Sequence, residues 1–323
     1  MAGIFCSQGW LCLLLICGVI FVNGWTDAPN AIATCVAGGA LPLRKAAFLA
    51  AVFNFLGLIL YPRVSAAVGE EIIAAVPSGS AALTALCASM TAVVAFAVIA
   101  WFFGIPTSES HALIAALSGA SFAISGGEGI SLTLWFLVAL GIVITVGAGF
   151  LLGFCFQRIM VKSGLCERRK ALARCEIFCA ALLSFIHGAQ DGQKFSVLMV
   201  LTISLSLGRE INSLYITVIC AGLLFLGTAV GGGRIIKKVG SGITTVDEGG
   251  GVSADAAAFI SIFVCTLFGM PVSTTHTKTG AILGVGAARR EANLKTFSEI
   301  FSLWLLTFPA CFFLSFLFAR LCV

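Results

Sequence analysis

The chain has 323 residues, of which 59% are hydrophobic and 10% charged, with a net charge of +5 and a mean hydropathy of +1.09. A soluble domain carries about 25% charged residues, and no water-soluble core of this size hides so much apolar surface. A soluble protein is therefore excluded and an all-α integral membrane protein is expected. The small positive charge sits in loops, where it reports orientation in the bilayer and argues against nucleic-acid binding.

Taken in chain order, the apolar stretches of the first half run over 10–40 (interrupted from Asn23 to Asn30), 46–60, 81–103, 105–124 and 131–156. The first of them is not preceded by Lys or Arg, so it reads as retained structure and not as a signal peptide. A basic stretch, 157–174, separates these from a second set at 174–207 (interrupted from His187 to Lys194), 213–230, 254–268, 270–287 and 299–322. Of the thirteen cysteines, Cys12, Cys17, Cys35, Cys87, Cys155, Cys179, Cys220, Cys265 and Cys311 lie in apolar runs. With no metal-type spacing among them, they are expected to act as small buried hydrophobes.

The two sets are copies of one pattern. Phe21-Val-Asn-Gly24-Trp-Thr-Asp27 returns 164 residues later as Phe185-Ile-His-Gly188-Ala-Gln-Asp191, and Gly104-Ile-Pro106-Thr-Ser108-Glu-Ser-His111 returns as Gly269-Met-Pro271-Val-Ser273-Thr-Thr-His276. Asp and the following Gly are 77 residues apart in one half and 78 in the other. Polar motifs that interrupt apolar segments in a paired repeat mark a secondary transporter, with its site near the bilayer midplane. The expected organisation is a first repeat over 1–156, a linker over 157–174 and a second repeat over 175–323.

Basic residues orient the loops. The linker holds Arg158, Lys162, Arg168, Arg169, Lys170 and Arg174, and with loops 41–46, 231–253 and 288–296 it is expected on the cytoplasmic side. Loops 61–80, 124–130 and 204–212 are poor in Lys and Arg and are expected outside. Equivalent loops then fall on opposite faces, so the repeats are inverted. Segments 81–124 and 254–287 begin and end on one side with a Gly-x-Pro turn between, which suggests two opposed re-entrant hairpins whose tips meet.

Each tip opens a helix. Unpaired N–H groups and the positive dipole end at a helix start favour an anion. Thr107, Ser108 and Ser110 on one tip and Ser273, Thr274 and Thr275 on the other add hydroxyl donors for a tetrahedral oxyanion, although one hydroxyl per tip also suits ordinary capping. Asp27 and Asp191 lie at helix breaks in lipid-depth sequence, with Asp255 at a segment edge. A carboxylate at that depth needs a partner and a role. Together with Asn23, Asn30, Gln190 and freed carbonyls it offers hard oxygen ligands for Na⁺, and alone it binds H⁺. The alternative role is a polar clamp between helices. Lys194, beside Gln193, is a counter-charge for Asp191 or a substrate contact; Lys278 is expected to snorkel toward a polar cavity. Gly119 and Gly284 recur in register and suggest close helix packing. His111 and His276 follow the tips at matched positions, suited equally to orienting a helix or to proton transfer, while Glu109 is a titratable gate or a vestibule carboxylate.

These motifs, Asp27-Ala-Pro-Asn30, Gly104-Ile-Pro-Thr-Ser-Glu-Ser-His111, His187-Gly-Ala-Gln-Asp-Gly-Gln-Lys194 and Pro271-Val-Ser-Thr-Thr-His276, resemble the signature of the inorganic phosphate transporter (PiT) family over essentially the whole chain. The resemblance implies two inverted repeats, phosphate as substrate, H⁺ or Na⁺ as coupling ion, and Asp27, Asn30 and Asp191 in the ion and substrate site. It implies no cofactor beyond a bound Na⁺, a multi-pass place in the cell membrane, and an architecture compatible with a homodimer. Thr26 and Gln190 where many members have Asn, with Glu109 and Lys278, are departures that leave the coupling ion open. The competing readings are a sulfate permease on the same scaffold, an anion channel, and an intramembrane hydrolase using Asp27 with Asp191 or the three histidines.

Overall fold

The computed structural model describes residues 7–61, 72–79, 81–208, 213–268, 270 and 272–322. Among these every regular element is a helix, without a strand. The turn residues Gly269 and Pro271, most of loop 61–80 and residues 209–212 lie outside the described residues.

Helix α1 (Ser7–Thr26) ends at Asp27, where Pro29 has no N–H to continue it and a 3₁₀ turn over Ala28–Ile32 leads into the short α2 (Ala33–Ala37). Then come α3 (Leu43–Leu60), α4 (Ala81–Phe102), α5 (Glu109–Ser125) and α6 (Leu132–Lys162). In the second half α7 (Arg169–His187) passes through a π-turn at Gly188–Gly192 into α8 (Gln193–Leu207). It is followed by α9 (Ser213–Val230), α10 (Gly233–Gly242), α11 (Glu248–Leu267), α12 (Thr274–Arg289) and α13 (Leu294–Cys322). Seven helical stretches among the described residues are long and apolar enough to cross a membrane, and α9 with α10 forms an eighth that is bent by 68°.

Three expectations are corrected here. Segment 231–253 is not a plain loop: it contains α10 and the start of α11. Helix α11 begins at Glu248, not 254, because Asp247 caps it by accepting a hydrogen bond from Gly250 N at 2.7 Å, so the Gly249-Gly250-Gly251 run is helical. Partial burial pushes the Asp247 carboxyl up, but bonds from Arg289 and Gly250 outweigh it and hold the group below its ordinary range. Cys155 lies on an exposed face of α6 and not in the interior.

The packing is reciprocal between halves. Helix α6 packs along α12 as α13 packs along α5; α1 packs on α9 as α7 does on α3; α4 meets α5 and α13 as α11 meets α12 and α6. Close approaches are also paired. A Cβ on Gly119 would stand 2.1 Å from Phe312 O, and one on Gly284 would stand 2.1 Å from Phe150 O. Any side chain there would force the helices apart, which accounts for these two glycines at matched positions. Two large apolar clusters flank the centre, one including Ile16, Met90, Leu113, Leu198 and Leu224, the other Leu183, Ala257, Ile262 and Trp304.

Candidate functional site

The helix breaks and the starts of α5 and α12 converge at the centre of the molecule. Ser108 and Ser273 occupy the cap positions, accepting from His111 N at 3.5 Å and His276 N at 3.3 Å. The imidazole rings that follow them meet with centroids 4.6 Å apart and planes tilted by 46°, so the two helix starts face each other. One hydroxyl in each trio is therefore a cap. A second hydroxyl reaches across to the carboxylate of the opposite motif: Ser110 Oγ donates to Asp191 Oδ1 at 2.9 Å, and Thr275 Oγ1 donates to Asp27 Oδ1. Thr107 and Thr274 are buried beside them, and Thr274 Oγ1 has no hydrogen-bond partner.

Each cross-bond is completed by the residue three places after the aspartate. Asn30 Nδ2 donates to Thr275 Oγ1 at 2.8 Å and to Asp27 Oδ1 at 3.1 Å. Lys194 Nζ donates to Ser110 Oγ at 2.7 Å and to Asp191 Oδ1 at 2.8 Å. The two triads, Asp27–Asn30–Thr275 and Asp191–Lys194–Ser110, share one plan and differ in charge. Asp191 has a tethered ammonium, with His187 Nε2 3.4 Å from its Oδ2, whereas Asp27 has an amide; Oδ2 of each aspartate has no hydrogen-bond partner. Asp27, Asp191 and His187 place one ligand atom each within 4.8 Å of one another. Glu109, at the first turn of α5, is fully buried and hydrogen-bonded to Thr26.

Asn23 is also buried near this break, but Gln190 donates to Thr266 and Gln193 to the Tyr61 carbonyl, so neither amide nitrogen bonds an aspartate of the centre. Lys278 does not snorkel. It is fully buried, pairs with Asp255 and donates to Thr34 Oγ1 at 2.9 Å, because Asp255 lies inside α11 and not at a segment edge. Glu176 of α7, also fully buried, was not singled out from sequence, although it lies within the apolar stretch 174–207. The one available signal was a set of charged residues, Glu176, Asp255 and Lys278, in otherwise apolar helices.

Two stretches, residues 23–172 and 166–315, match the family model described as "PHO4: Phosphate transporter family". A probable low-affinity inorganic phosphate transporter of Bacillus subtilis is 34% identical over 308 residues, covering 92% of each chain. The protein of the same description from Rhizobium meliloti is 36% identical over 307 residues, covering 91% of this chain and 90% of its own. Among solved structures, "The sodium-dependent phosphate transporter" superimposes with a TM-score of 0.81 over 98% of this chain and 99% of its own, at 19% identity, a likeness in fold.

Proposed function

The chain belongs to the PHO4 phosphate transporter family, a family of permeases and not of enzymes, and from that premise we propose that it imports inorganic phosphate across the cell membrane in symport with H⁺ or Na⁺. The hydrolase reading is set aside by the family. The observation that carries the proposal is the pair of crossed triads, which join each half's broken helix to the other half's helix start.

In this reading Asp27 is the principal cation site. Asp27 Oδ2 and Asn30 Oδ1 are buried oxygens without donors, and broken helices supply carbonyl ligands for a coupling ion. Asn23 and Gln190 complete the cation side, with Asp191 already balanced by Lys194. Thr107, Ser108, Ser110, Ser273, Thr274, Thr275, Gln193 and Lys194 form the anion side, where two helix starts and an ammonium attract phosphate. Phosphate has a hydrogen to donate to a neighbouring carboxylate and sulfate at neutral pH has none, so the aspartates favour phosphate. A cation at Asp27 lowers the cost of bringing the anion beside two carboxylates, which couples the two binding events.

The reciprocal packing supports inverted repeats divided at the linker, as does the meeting of the two matched stretches within 166–172. Helices α5 and α12 have 17 and 16 residues, short of a full crossing, and their first four turns are almost wholly buried, which supports re-entrant hairpins. Cysteines introduced at Gly127 and Lys295, in a background without native cysteines, are expected to label from opposite sides of the membrane, Gly127 from outside. Labelling of both from one side overturns the inversion.

The transport reading is tested with purified protein in proteoliposomes, measuring radiolabelled phosphate and sulfate while Na⁺ and pH gradients are imposed separately. Phosphate is expected to accumulate under a cation gradient and sulfate to compete poorly. Equal sulfate accumulation would identify a sulfate permease, and flux that ignores both gradients would identify a channel.

A further inference from the structure

A second group of buried charges lies one helical turn from the aspartate centre, and it exists in one half only. Thr34 follows Asn30 by four residues and Lys278 follows Thr275 by three, so both sit about 5 Å along their elements from the first triad. Lys278 Nζ bonds Asp255 Oδ1 and Thr34 Oγ1, and Thr34 also donates to Asp255 Oδ1 at 2.6 Å. Glu176 lies over Gly251, one turn before Asp255 on α11: a Cβ there would stand 1.7 Å from Glu176 Oε1. Neither carboxyl oxygen of Glu176 has a hydrogen-bond partner, nor does Asp255 Oδ2, and all these side chains are fully buried.

The repeat offset assigns each member a counterpart in the first half: Cys12 for Glu176, Met90 for Asp255, Leu113 for Lys278 and Leu198 for Thr34. Those four are buried together in one apolar cluster. The fold therefore does not need charge at these positions, and packing alone does not explain it in the second half.

We propose that Glu176 is a proton-binding site on the linker side of the protein, through which protons exchanged with the aspartate centre reach that face. A fully buried ionised carboxylate with no hydrogen-bond donor is the most costly state available to it; the neutral acid, with one proton bound, removes that cost. Asp255 and Lys278 cancel each other's charge, so one proton on Glu176 leaves the cluster neutral. The groups that face Glu176 electrostatically are Asp247, which caps α11, Glu248 and Asp255 of α11, Lys278 of α12, and the thiols of Cys35 and Cys179. Asp247, Gly251 and Asp255 recur every fourth residue along α11. Asp247 is half exposed and paired with Arg289, so this stripe runs from the surface to the buried cluster. Transfer is of H⁺ alone: the Glu176 O–H bond breaks toward water at the linker face, and re-forms with a proton released at the centre.

The inference rests on the symport reading, and the test separates the two. In proteoliposomes, Glu176→Gln is expected to retain phosphate exchange at equal pH on both sides while losing the response of uptake to an imposed pH gradient. Asp27→Asn, by contrast, is expected to lose exchange and accumulation together. Retained uptake in Asp27→Asn strikes the symport reading whatever Glu176→Gln does. A wild-type pH-gradient response in Glu176→Gln overturns the relay alone, as does a change that follows Na⁺ and not pH. Should Glu176→Gln fail to insert, Glu176→Cys places there the residue the first half already holds, and the same outcomes apply. Infrared difference spectra of the wild-type protein with isotope-labelled glutamate give a readout independent of both variants. A protonated-glutamate band that titrates with uptake is expected, and its absence refutes the proposal.

Discussion

Asp27→Asn is expected to abolish concentrative phosphate uptake in a protein that still inserts and purifies. The substitution keeps the shape and an acceptor for Thr275 and Asn30, but it removes the one aspartate charge of the centre that no cation of the protein balances. Asp191→Asn is expected to abolish uptake as well, with a further cost in stability. It leaves the Lys194 ammonium buried with hydroxyl and carbonyl partners only, and breaking a buried pair from one side costs about 3–5 kcal/mol. Uptake into proteoliposomes and thermal unfolding in detergent report the two effects separately. Normal accumulation by Asp27→Asn would return the carboxylates to the role of a polar clamp.

The second large effect concerns stability away from the centre. Lys278→Leu alone should destabilise the protein by about 3–5 kcal/mol, because Asp255 would keep its charge at full burial and lose its ammonium partner. The double variant Lys278→Leu with Asp255→Met should recover most of that loss. Replacing both members of a buried pair by apolar residues of similar volume is often neutral, and Leu113 with Met90 already shows this packing in the other half. Thermal unfolding of the single and double variants measures the coupling. A double variant as unstable as the single would mean that the apolar counterpart is not a valid template for this site.

Much of the site was legible before any coordinates, but unevenly. Asp27 and Asp191, with the hydroxyls Ser110 and Thr275, were selected by their place in the repeated motifs, and Asn30 and Lys194 by their chemistry beside the aspartates; the structure draws all six into the crossed triads. Gln190 and Gln193 were chosen as polar side chains next to Asp191, yet they turn to Thr266 and Tyr61. Register constrains a backbone position; the rotamer that follows depends on which acceptor lies nearest. Ser108 and Ser273 were grouped with the other hydroxyls, and the fold gives them the capping bond that any helix start demands.

The linear chain by itself determined the class, the repeat and the place of the helix breaks. Mean hydropathy, Pro29, and the paired Asp and Gly-x-Pro motifs are local quantities, and lipid leaves a chain of this composition few ways to satisfy its backbone other than helices. Only the tertiary structure decided the pairing of charges. Asp255 and Lys278 are 23 residues apart on different helices, and Thr34 is 244 residues from Lys278. An apolar helix with one charge looks the same whether that charge faces water, a headgroup or a partner. Burial at zero exposure, with an opposite charge in contact, is a property of the packed bundle, because the cost of a charge is set by what surrounds it and not by its neighbours in sequence.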